Sequence, residues 1–138
     1  MGVILDTSVL VAAERRVLRL EPLLESLGET PVGIAAVTAS ELLHGCHRAL
    51  DPAIRVRRFA FVDALLALIP VLPFGLAEAR RHAELWTLLA QSGTMIGAHD
   101  LLIGATALAR GDALASLNTR EFKRVAGLRL VTLDQFLA

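Results

Sequence analysis

Apolar residues fall along this chain in two rhythms. Short unbroken runs at Val3–Leu5, Pro31–Val37, Ile69–Leu72, Ala113–Leu117 and Leu128–Thr132 do not alternate with polar residues. Runs of that kind predict strands covered on both faces, as in a parallel sheet. Between them lie longer segments with apolar residues at helical spacing. These predict helices over Thr7–Glu14, Leu20–Leu27, Thr38–Leu50, Ala53–Leu68, Leu76–Gln91 and Ala98–Arg110, a short helix before the last strand and another at the C-terminus. The stops are chemically legible: Gly28, Asp51-Pro52, Ser92-Gly93 and Gly111 each close a helical segment or lead into the next.

Strands alternating with helices require right-handed crossovers, so the expected class is α/β with a mostly parallel sheet of about four to five strands. The 138 residues are expected to form one domain, 1–138, with no repeat or linker. In such a sheet the strands end on one edge, and ligands bind in the crevice outside those carboxyl ends.

Composition changes the picture in two places. The apolar fraction is 54% before glycine is added, whereas ordinary soluble domains reach about 45–50% with glycine included. The excess predicts apolar surface covered by a second copy or a partner. A membrane span does not account for it, because the stretch Ala64–Ala77 is too short and is broken by Pro70, Pro73 and Gly75. Cys46 is the one cysteine, and no basic segment precedes an apolar one at the start. Both features fit a cytoplasmic protein. The 14 basic residues balance the 14 acidic ones, so no global field advertises nucleic-acid binding.

The acidic residues carry the chemistry. Asp6 follows the first strand, Glu41 falls in the first turn after the second, and Asp100 opens the helix Ala98–Arg110. Each also has a structural reading. Asp6 can cap the helix after it, Thr38-Ala-Ser-Glu41 has the form of a capping box, and Asp100 suits a helix N-terminus. Taken together they repel, and burying them at one sheet edge is costly without a cation. Clustered carboxylate oxygens suit Mg²⁺ or Mn²⁺.

Four blocks, Ile-Leu-Asp6-Thr-Ser, Thr38-Ala-Ser-Glu41-Leu, Ala98-His-Asp100-Leu-Leu-Ile-Gly-Ala-Thr-Ala and Ser116-Leu-Asn118-Thr-Arg-Glu-Phe, resemble the successive blocks of a PIN domain. More narrowly they resemble the VapC-type toxins of toxin–antitoxin pairs. The resemblance implies an α/β/α sandwich and a Mg²⁺- or Mn²⁺-dependent endoribonuclease acting on RNA. It also implies a homodimer inhibited by a small VapB-type antitoxin. By position, Asp6, Glu41 and Asp100 match the acidic metal-site residues of the family. Asn118 stands at a fourth catalytic position that is often Asp, with Glu121 close by to supply the missing charge. Ser116 replaces a usual Thr, and Leu117 departs from a usual polar residue. Thr7 and His99 are candidate supporting residues, His99 as a group that orients Asp100 or contacts phosphate.

Other constellations are weaker. Glu41-Leu-Leu-His44 has the spacing of a di-iron helix, but a second such motif is missing. His44, Cys46 and His47 do not share one helix face, as zinc would require. A haloacid-dehalogenase-like phosphatase also begins with a strand ending in Asp, yet its general acid would fall at Ser8. A PIN fold kept only to bind a partner is the remaining alternative, and metal binding separates it from the enzyme.

Overall fold

The computed structural model describes residues 1–138. Five strands, β1 (Val3–Leu5), β2 (Val32–Ala35), β3 (Val71–Leu72), β4 (Ala113–Ala115) and β5 (Leu130–Val131), form one sheet in the order β3-β2-β1-β4-β5. Every pairing is parallel. The helices are α1 (Thr7–Glu14), α2 (Leu20–Leu27), α3 (Ala36–Arg48), α4 (Pro52–Leu68), α5 (Leu76–Gln91), α6 (Ala98–Arg110) and α7 (Thr119–Phe122), followed by a 3₁₀ turn at Asp134–Phe136.

The period of two along a strand divides the core. Val3 and Leu5 face Val9, Leu10, Leu23, Ile34 and Leu65, while Ile4 between them faces Ala35, Ile103, Leu114 and Phe122. Helices therefore cover both faces, which makes the sandwich. Register follows from β1, where Ile4 lies opposite Gly33 on one side and Leu114 on the other. Gly33 is fixed by packing. A Cβ there would lie 2.9 Å from Leu72 Cγ and Cδ1, so any side chain would have to displace the Leu72 side chain from its place against the sheet.

Strand order reverses direction at β1, since β2 and β3 lie to one side and β4 and β5 to the other. The carboxyl end of β1 beside β4 is thus the switch point where a crevice opens. Asp6 stands there, and its N–H donates to the Ala115 carbonyl of β4 at 2.9 Å.

Several boundaries differ from the sequence reading. The helix expected from Thr38 begins at Ala36, and the strand before it is Val32–Ala35, not Pro31–Val37. Val37 and Thr38 are β-branched and favour strand locally, but packing of the helix against the sheet overrides that preference. β3, β4 and β5 are each shorter than their apolar runs, and the C-terminal helix is only the 3₁₀ turn. The earlier start of α3 removes the capping box. The N-cap is Ala35, and Glu41 lies beyond the first turn. Asp6 stands at the N-cap of α1 but makes no side-chain cap bond. Two structural readings of the acids are therefore set aside.

Candidate active site

One cleft of about 450 Å³ is lined by Asp6, Thr7, Ser8, Glu41, Asp100 and Asn118, with Val11, Ala12, Arg15 and Val17 along its rim. The three acids predicted to converge do so, although they arrive from different directions. Asp6 comes from the end of β1, Glu41 from the second turn of α3, and Asp100 from the first turn of α6, the helix that leads into β4. A larger groove of about 510 Å³ runs along α5 and α6, away from these acids.

Asp6 is 2% exposed, so its charge needs strong partners. Ser8 Oγ donates to Asp6 Oδ2 at 2.7 Å, and Ser116 Oγ donates to the same oxygen at 2.6 Å. Ser116 Oγ in turn accepts the Asn118 N–H, and Ser8 Oγ accepts the Leu117 N–H. Two hydroxyls, one from each side of the switch point, therefore lock one oxygen. Oδ1 accepts no side-chain bond, and no buried side-chain oxygen lacks a partner, so Oδ1 opens into the cleft.

A second chain of contacts holds Glu41. Thr7 Oγ1 donates to Glu41 Oε1 at 2.7 Å and lies 3.0 Å from Thr38 Oγ1, which is fully buried. His99 Nδ1 lies 3.3 Å from Glu41 Oε2. His99 thus faces Glu41 and not Asp100, its neighbour in sequence.

Asn118 turns its amide toward the acids: Nδ2 donates to Asp100 Oδ2 at 2.9 Å and to Glu121 Oε2 at 3.4 Å. Asp100 and Glu121 also hydrogen-bond to each other. Burial first, then the bond to Glu121 and the charges of Asp6, Glu121 and Glu41, push the Asp100 carboxyl up to about 7. Glu121 moves down, because Asp100 and the Gly97 amide donate to its carboxylate.

The donor set fits a hard divalent ion. It consists of carboxylate oxygens, with Asp6 Oδ1 free, and their mutual repulsion is relieved by positive charge. No three His, Cys, Asp or Glu side chains close into a cage. The donors line an open cleft instead, and such a site suits an ion that keeps several waters.

Sequence reasoning missed Ser8 and Thr38 as parts of this site. In sequence Ser8 stands out only as an absent acid, yet a hydroxyl two residues after a buried Asp at a strand–helix turn is well placed to bond it. His44, Cys46 and His47 are not gathered, since Cys46 is buried while both histidines are exposed.

The family model described as "PIN domain" matches residues 3–128. Ribonuclease VapC1 of Rickettsia felis is 35% identical over 134 residues, covering 97% of this chain and 98% of its own. The tRNA(fMet)-specific endonuclease VapC of Shigella flexneri is 33% identical over 104 residues, 75% of this chain and 76% of its own. Among solved structures, VapBC2 from Rickettsia felis bound to a promoter DNA fragment superposes with a TM-score of 0.89 at 28% identity, covering 97% of this chain and all of that one. DNA-bound VapBC from Salmonella typhimurium gives 0.85 at 25% identity, covering 95% and 97%. With its parallel sheet and its acids gathered at the switch point, this chain belongs to the PIN domain family and, within it, to the VapC ribonucleases.

Proposed function

We propose that this chain is the toxin of a VapBC-type pair, an endoribonuclease that cuts RNA at the cleft of Asp6, Glu41 and Asp100 with Mg²⁺ or Mn²⁺. The convergence of the three carboxylates, with Asp6 pinned and its Oδ1 left open, carries the reading. VapC nucleases of this family generally depend on a divalent metal. When bound, such an ion supplies an activated water and offsets charge on the phosphate. Asp6 Oδ1 and Asp100 would hold it, with Glu41 on the facing wall. Ser8 and Ser116 keep Asp6 in one rotamer. Thr7 and His99 do the same for Glu41, so that neither side chain must be ordered when RNA arrives. Asn118 steadies Asp100 and Glu121.

The phosphatase alternative fails at Ser8, whose hydroxyl is committed to Asp6. Retention of the open carboxylates argues against a binding-only fold. The partner is a VapB-type antitoxin, as in the VapBC complexes that this chain resembles. A cation from that partner, placed against the acids, would replace metal charge and block RNA together.

The test is cleavage of total RNA by purified protein with mapped ends. Asp6→Asn and Asp100→Asn should each lose at least a hundredfold in rate, and EDTA should abolish cutting. Undiminished cleavage in EDTA overturns the proposal.

A further inference from the structure

A second cavity of about 290 Å³ adjoins the acidic cleft and shares Thr7, Val11, Arg15 and Glu41 with it. Its character is opposite. Beyond the shared residues it is walled by Arg48, Arg58, His44 and His99, with Glu14 as its further acid. Glu14 is taken up by Arg58 at 3.1 Å. The structure's four ion pairs involve Arg58, Arg81, His99 and Arg110, so Arg15 and Arg48 have no carboxylate partner. Arg15 lines both cavities and stays unpaired even though three acids share its cleft.

An RNA strand brought to three carboxylates meets repulsion at every phosphate except the one facing the cation. Unpaired guanidiniums next door offset that cost, and their fork geometry suits phosphate oxygens. We infer that the cavity of Arg15, Arg48 and His44 is the track that seats backbone phosphates flanking the scissile one, with Arg15 as the positioning residue at the junction. The inference rests on the nuclease reading and adds the direction in which the strand leaves the acids, toward the α3–α4 side. Because the contacts are to phosphate, the track orients the strand without reading its bases. The three residues are exposed and none takes part in an ion pair, so replacing them should leave the fold intact.

The experiment separates binding from cutting. A labelled single-stranded RNA oligonucleotide is titrated by anisotropy against Asp100→Asn protein, alone and with Arg15→Gln plus Arg48→Gln, over a range of salt. The arginine changes should weaken binding roughly tenfold each and flatten the slope of log affinity on log salt by about 0.7 per lost phosphate contact. Arg15→Lys should restore the slope. In cleaving protein, Arg15→Gln should raise KM more than it lowers kcat. Affinity and slope unchanged in the double variant would overturn the track. So would variants that cut RNA normally but escape antitoxin inhibition, since the cavity would then be a seat for an acidic peptide. RNA that binds with the expected salt slope yet is never cut by the wild-type chain would instead sink the nuclease reading alone.

Discussion

At residue 118 this protein carries an amide, and the structure shows what that choice does. Asn118 donates to both Asp100 and Glu121, tying together two acids that would otherwise repel. An Asp there would lose the donor and add a charge. Asn118→Asp is therefore expected to tighten Mn²⁺ binding in calorimetric titration while lowering the melting temperature in EDTA. Unchanged affinity and stoichiometry would place this side chain outside the metal site. Asp100 sets a pH dependence of its own. Its folded-state value, raised to about 7, gives a contribution to stability that is complete below the ordinary value of 3.8 and is lost as pH rises through about 7. Metal-free protein should accordingly gain from Asp100→Asn at pH 8, by about 1 kcal/mol once solvent screening is allowed for, and gain little at pH 5. Melts in EDTA at the two values check this, and an equal gain at both would contradict it. Glu121 shifts the other way, so its contribution is present above its ordinary value of 4.5 and is lost as pH falls. The acids themselves were legible in the sequence because carboxylates between apolar runs are conspicuous. Ser116 was legible only through the family resemblance, and Ser8 and Thr38 were not legible at all, because they look like any small polar residues until the fold sets Ser8 against Asp6 and Thr38 against Thr7.

Among the elements, helix stops were the easiest features to read. Gly28 and Gly111 end α2 and α6 with φ of 57° and 69°, and Asp51-Pro52 opens α4 with Asp51 Oδ1 accepting the Ala53 N–H at 2.8 Å. Strand lengths were harder, because an apolar run does not say where pairing ends and a helix begins. The start of α3 shows the cost: two residues of misplaced boundary made Glu41 look like half of a capping box. The stop of α1 carried no glycine signal at all. Arg16 takes φ of 60° there, a left-handed conformation that glycine adopts more cheaply. Arg16→Gly is thus expected to stabilise the protein by about 0.5–1 kcal/mol, less any entropy gained by the unfolded chain. Chemical denaturation measures it, and a net loss of stability would mean that the Arg16 side chain makes a contribution larger than the backbone strain.

Across the whole molecule, the apolar excess of the composition reappears on the surface. Leu50 is 98% exposed, Leu68 70%, Leu76 68% and Trp86 55%. Phe74, His82 and Trp86 form a continuous aromatic ridge, with ring centroids 5.8 and 5.7 Å apart. No helix is long and apolar enough to cross a membrane. A continuous exposed apolar ridge of this kind suits contact with another protein surface. The isolated chain is expected to run as a dimer in light scattering at micromolar concentration, with Trp86→Glu shifting it toward monomer if the ridge is the contact. A well-behaved monomer of the wild-type chain would rule the dimer out. Partner surfaces were foreseeable from composition as a quantity but not as places, because composition has no geometry.

The bond from Ser116 to Asp6 spans 110 residues of sequence, and this has a consequence for the chain while it is being made. Asp6 leaves the ribosome first, but the hydroxyl that locks it, the strand β4 beside it and Asp100 emerge near the end. At roughly 5–20 residues per second, synthesis of the intervening stretch lasts roughly 5–20 s. Until then the three acids and the hydroxyl that locks Asp6 are not all present, so nuclease activity is expected only as translation finishes. Chains ending before Ala113 should leave RNA intact at any concentration, and cutting by such a fragment would show that the lock is dispensable. A cell that makes the antitoxin first thus has time to meet each toxin molecule at the moment it becomes dangerous.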